Sequence, residues 1–147
     1  MKPKILVAYA TTHGSTAEIA EVIAEVLREK GFDADVNKAR LVRTLEGYSG
    51  VVLGAPLYMF RWAGDAFKFL RGQQKAIQSG IPVAVFAGGP FGETKPEVWD
   101  EVRANLDKEI AKEAWFKPVS VLIVGGKFDP TSLRFPYNLI PAMKQQP

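Results

Sequence analysis

Cysteine is absent from the 147 residues, and histidine occurs once, as His13. The first absence excludes disulfides, thiolate-held clusters and thiol nucleophiles, so any redox chemistry must be borrowed from a bound cofactor. With a single imidazole the chain shows no evident catalytic base. No apolar run approaches the roughly 18 to 20 residues of a membrane span. The amino terminus, "MKPKILVAY", lacks the small-residue cleavage site of a secretory signal. These absences predict a soluble, cytoplasmic protein with no transmembrane segment. A strong charge of one sign is also missing: the net charge is +3, with 19 Lys and Arg interleaved among 16 Asp and Glu. That pattern speaks against nucleic acid as a partner, while the small basic surplus leaves room for a peripheral membrane contact. Repeats, linkers and low-complexity segments are absent, and only "MKQQP" reads as a frayed tail. With 47% hydrophobic residues the chain closes a core of ordinary size, predicting one domain over residues 1–147. Oligomeric state has no signature here.

What is present is an alternation of two patterns. "KILVAYA", "GVVLGAP", "IPVAVFAGG" and "VSVLIVGG" are apolar runs of strand length, and "DADVNKA" is a short alternating segment. Between them, "TAEIAEVIAEVLREKG" carries Ile19, Ile23, Val26 and Leu27 at helical spacing, with Gly31 placed to end the helix. "GDAFKFLRGQQKAIQ" predicts one helix, "PEVWDEVRANLDKEIAKEA" another with Pro96 near its start, and "FPYNLIPAMK" a last short one interrupted near Pro141. Strands apolar on both faces that alternate with helices predict an α/β fold, a parallel sheet covered on both sides.

Ligands of such sheets bind beyond the carboxyl ends of the strands. Three loops there stand out: "TTHGST" after the first strand, "APLYMFRW" after the third and "AGGPFGETKP" after the fourth. In the first, Thr11, Thr12, Ser15 and Thr16 offer hydroxyls and Gly14 permits a tight turn. The following helix points unpaired N–H groups and its positive dipole end into the loop. No Lys or Arg stands there, which argues against the GxxxxGK[ST] loop of a triphosphatase, and no GxGxxG argues for a dinucleotide. A phosphate monoester fits best, although Ser and Thr also favour ordinary helix starts. His13 is either an anion contact or proton donor, or a solvent-facing loop side chain.

Tyr9, Thr11, Gly14, Thr16 and Ala20 stand at the spacing of the flavodoxin phosphate-binding signature, with Ala8 where that signature usually has a larger hydrophobe. "GAPLYMFRWAGDAFKFL" resembles the second loop of flavodoxin-domain proteins related to menaquinone-dependent protoporphyrinogen oxidase, and "WFKPVSVLIVGGKFDPTSLRFPYNLIPAMK" is similar to the end of that family. The resemblance covers nearly the whole chain. It implies a flavodoxin-like doubly wound sheet of five parallel strands, order 2-1-3-4-5, with helices on both faces. It also implies FMN as cofactor, its phosphate in Thr11, Thr12, His13, Gly14, Ser15 and Thr16. The flavin ring then lies between Pro56, Leu57, Tyr58, Met59, Phe60, Arg61 and Trp62 on one side and Gly88, Gly89, Pro90 and Phe91 on the other. Tyr58 and Trp62 are the candidates to stack on the ring or close its edge, and Gly88, Gly89 and Pro90 allow close backbone approach. Each aromatic could equally be core. Arg61 either receives an acidic substrate group or lies along the surface.

Where relatives often carry a glycine after the residue following that tyrosine, this chain has Phe60. In flavodoxins a glycine peptide near flavin N5 turns its carbonyl to the half-reduced ring, a conformation costly for a bulky residue. The substitution leans toward two-electron chemistry. Three readings follow: an FMN oxidoreductase taking a hydride from a small reduced substrate, protoporphyrinogen-like, and passing electrons to a quinone or other acceptor; a flavodoxin-type carrier docking to redox partner proteins; or a flavin-free interaction domain. Such carriers tend to be strongly acidic, a field this chain lacks.

Overall fold

A computed structural model of the protein describes residues 3–10, 15–58, 61–88 and 96–124. Five parallel strands form its centre: β1 (Lys4–Tyr9), β2 (Asp33–Lys38), β3 (Gly50–Tyr58), β5 (Val83–Gly88) and β6 (Ser120–Val124). Their spatial order is β2-β1-β3-β5-β6, which is the expected 2-1-3-4-5 once a short extra strand, β4 (Arg61–Trp62), is set aside.

Alternation along the strands divides the core in two. Ile5, Val7, Val52, Ala84 and Phe86 face one side, where they meet Ile23, Ala24 and Leu27 of α1 (Ser15–Glu29). Leu6, Ala8, Leu53, Val85 and Ala87 face the other. There they meet α2 (Gly64–Gly72) through Ala66, Phe69 and Leu70, and α4 (Pro96–Ile110) through Leu106 and Ile110. Both faces of a parallel sheet are thereby removed from water, as its continuous apolar strands require.

The end of α1 follows from Gly31. At φ +95° it adopts a backbone that other residues resist. Gly31 N–H then bonds the Arg28 carbonyl at 3.1 Å and Phe32 N–H the Leu27 carbonyl at 3.0 Å, a Schellman closure that seats Phe32 beside Leu27 in the core.

Two elements differ from expectation. The single helix predicted over "GDAFKFLRGQQKAIQ" is two, α2 and α3 (Gln74–Gln78), separated at Gln73 (φ −110°, ψ 16°). Gly72, with its high cost in a helix interior, marks the break. The segment after Pro56 is not a plain loop either: β3 runs on through Tyr58 and β4 folds back on it, Leu57 opposite Trp62 and Tyr58 opposite Arg61. The predicted "FPYNLIPAMK" helix lies outside the described residues. Among the described residues no helix is long and apolar enough to cross a membrane.

Candidate functional site

Parallel register brings the three singled-out segments to one edge. Tyr9 at the end of β1 lies beside Gly54, and Ala10 N–H donates to the Gly54 carbonyl at 2.8 Å. Farther along β3, Pro56 lies beside Gly88, the last residue of β5, and Gly88 beside Val124. Because β1, β3 and β5 are neighbours about 4.8 Å apart, the chain leaves the sheet three times within about 10 Å. Ala10, Ala55 and Ala87 make this edge of small side chains.

β3 outruns both neighbours. Leu57 and Tyr58 lie beyond the last β5 pairing and, among the described residues, pair in the sheet with β4 alone, so at about 3.3 Å per residue the hairpin rises roughly 7 Å above the edge. Its root is fixed from below. Trp62 is 3% exposed, its indole N–H donates to the Ala55 carbonyl at 3.3 Å, and its ring meets Phe67 edge to face at 5.5 Å. The Trp62 backbone N–H donates to Glu109 Oε1 of α4 at 3.1 Å. Glu109, 6% exposed, also pairs with Lys112 Nζ at 2.5 Å. One turn on, Glu113 accepts from Arg71 Nε at 2.7 Å and from the Trp115 indole at 3.1 Å. Buried carboxylates satisfied in this way tie α4 to the hairpin, and the turn that follows α4 to α2.

Of the predicted cofactor residues, Thr16 lies in the first turn of α1, 2% exposed, and Ser15 opens that helix. Pro56, half-buried, Leu57 and Tyr58 extend β3, Arg61 and Trp62 form β4, and Gly88 closes β5. The indole of Trp62 is engaged by the core under the hairpin. Thr11, Thr12, His13, Gly14, Met59, Phe60, Gly89, Pro90 and Phe91 lie outside the described residues.

Glu109, which supports the hairpin beside the candidate site, is the residue that sequence reasoning missed. Its signal was there: Leu106, Glu109 and Ile110 recur at i, i+3 and i+4, which places the Glu109 carboxylate on the buried stripe of α4.

A family model described as the flavodoxin domain matches residues 6–139. The chain belongs to the flavodoxin-domain family. Solved structures agree on the fold. A flavodiiron core, Flv1 from Synechocystis sp., superposes with a TM-score of 0.63 at 17% identity, covering 97% of this chain and 36% of that one. A short-chain flavodoxin associated with a non-canonical PDU bacterial microcompartment gives 0.64 at 17% identity, covering 95% and 98%. A flavodoxin from the domain Archaea gives 0.58 at 18% identity, covering 96% and 97%. The chain thus spans about a third of the flavodiiron protein and nearly all of the two flavodoxins. No curated protein sequence matches this flavodoxin-domain chain.

Proposed function

We propose that the chain binds FMN at the carboxyl edge of the sheet and transfers electrons from a small reduced substrate to an acceptor. One observation carries this reading: the segments after β1, β3 and β5 leave adjacent strands, with the buried Thr16 and the α1 N-terminus at one end and the Leu57–Tyr58 ledge standing over the other. The residues present fit the cofactor. A helix start with a buried hydroxyl residue in its first turn suits a phosphate. Ala10, Ala55 and Ala87 near the strand ends are small and buried, so the ring's surroundings come from the segments that follow them, and Tyr58 is the aromatic that the resemblance gives for that role.

The flavin, when bound, supplies the hydride and electron chemistry. The chain's own residues bind the phosphate through Ser15 and Thr16 together with Thr11, Thr12, His13 and Gly14. They position the ring between Pro56–Trp62 and Gly88–Phe91. Glu109 and Trp62 hold the base of the ledge. Phe60, where relatives have glycine, favours transfer of electrons in pairs. A protoporphyrinogen-like donor and a quinone acceptor are the substrate reading that goes with the resemblance. The carrier reading gains from the cation cluster described below, at the same edge.

Visible spectroscopy of the purified protein with FMN, followed by stepwise anaerobic reduction, tests this. A perturbed flavin spectrum that bleaches in one stage is the expected result. A long-wavelength band at half reduction favours the carrier, and an unperturbed FMN spectrum ends the flavin reading.

A further inference from the structure

β2 sorts its charges by position. Asp33 and Asp35 occupy its amino-terminal half, where Asp35 pairs with Lys4 Nζ at 3.2 Å, and Lys38 closes its carboxyl end. A single 3₁₀ turn, Ala39–Leu41, follows with Arg40 exposed, and Arg43 is exposed just beyond. Five rises of a strand separate Asp33 from Lys38 by about 16 Å. This exceeds the roughly 8 Å over which charges persist at physiological salt. Across from the turn, α2 presents Lys68. Arg40 and Lys68 line one groove of about 200 Å³, floored by Ala39, Val42 and Phe69, with Asp65 its single acid.

Three features set this face apart. Among the described residues, Lys38, Arg40, Arg43 and Lys68 have no carboxylate within ion-pair distance, whereas Arg71 and Lys112 beside the hairpin are neutralised by Glu113 and Glu109. Leu41, 58% exposed, stands in the middle of the basic segment. The segment also borders the candidate cofactor site, since Lys38 lies in register with Tyr9 at the end of β1.

We propose that this face docks an acidic protein partner, whose carboxylates enter the groove between Arg40 and Lys68 while Leu41 makes the apolar contact. Charge complementarity supplies the argument for the occupant. Two cations, Arg40 and Lys68, line the concavity against one acid, Asp65, and Lys38 and Arg43 stand on the adjoining segment, so the face carries a net positive charge that attracts projecting carboxylates, steers their approach and fixes register. A lipid surface is flat and gains most from several inserted apolar residues together with the basic ones, and among the described residues this face has Leu41 alone. That the partner exchanges electrons with a flavin rests on the function proposed above; that it binds here does not.

The test uses the full chain and labelled poly-L-glutamate as the probe. Binding is expected at about 20 mM salt and is expected to weaken steeply toward about 200 mM. Arg40→Glu/Lys68→Glu should lower affinity by about tenfold or more. The charge-matched control Lys108→Glu/Lys117→Glu, at exposed residues that do not line the groove, should leave it within about twofold. Equal loss in both pairs, or no loss in the first, overturns the proposal. So does tighter binding of phosphatidylserine vesicles or of a DNA duplex than of poly-L-glutamate. FMN is titrated separately into each variant. Flavin failing to bind while poly-L-glutamate binds with the expected pattern removes the electron-exchange role and leaves the docking face.

Discussion

Gly54 lies opposite Phe86 in the β3–β5 ladder, and a Cβ there would run into the Phe86 ring. The requirement is for space, since the overlap is with a buried side chain in the centre of the sheet. Gly54→Ala should cost about 1–3 kcal/mol, the usual range for overpacking. Adding Phe86→Leu should recover part of that, a coupling that urea denaturation of the two single variants and the double variant would measure. Tyr48 is a different case. Its hydroxyl donates to Asp35 Oδ2 at 2.7 Å, and its ring lies under Lys4 Nζ at 5.3 Å. Burial, then the Asp35 carboxylate, push its pKa up to about 12, and the same hydrogen bond, helped by Lys4 and Arg28, holds Asp35 below its ordinary 3.8. The folded chain therefore keeps the phenolic proton where the unfolded chain loses it. The Tyr48 contribution is complete below pH 10 and is lost as pH rises from about 10 to about 12. The Asp35 contribution is lost at the other end, as pH falls below 3.8 through its lowered value. Tyr48→Phe should remove about 0.5–1.5 kcal/mol at neutral pH and flatten both limbs of a stability–pH profile.

At the scale of elements, α1 and its end at Gly31 were legible because the apolar spacing and the positive-φ glycine agree, four of the five parallel strands because each is an uninterrupted apolar run, and β2 because its short segment alternates. The β3–β4 hairpin was not. Tyr58 and Arg61 pair across a connection of Met59 and Phe60, and neither residue is the Asn or Gly by which two-residue hairpins announce themselves. Tertiary support substitutes for turn chemistry: Glu109 accepts the Trp62 N–H, and Trp62 fills the core beneath. Removing that carboxylate leaves a buried N–H without its acceptor, at a cost of about 1–3 kcal/mol. Glu109→Ala should lose that much stability in urea and bind FMN several-fold more weakly, because the ledge loses its tie to α4. Glu109→Gln, which retains an oxygen acceptor, should retain most of both. Unchanged flavin affinity in the alanine variant would separate the hairpin's position from α4.

Over the whole molecule, topology was legible where charge was not. Alternating strands and helices, with phosphate-type residues at the first turn, are enough to single out the carboxyl edge as the candidate site, since parallel strands all end on the same side. Along the whole chain cations and acids interleave, but over residues 33–43 the acids Asp33 and Asp35 precede Lys38, Arg40 and Arg43, and the extended β2 turns that order into separation in space. The site's position also bears on global stability. The candidate cofactor contacts come from α1, β3, β4 and β5, elements that close only in the folded state, so FMN should bind native chain and not unfolded chain. At about 100 times its dissociation constant it should add about 2.7 kcal/mol. For a domain of about 150 residues that is a rise of roughly 5–10 °C in melting temperature. Riboflavin offers the same ring without the phosphate, and so isolates the contribution of the α1 N-terminus and Thr16. If that end of the site carries the phosphate, riboflavin at equal concentration should raise the melting temperature far less than FMN. Equal shifts from both would mean that the ring edge under the hairpin holds the cofactor and that the buried threonine serves only its helix.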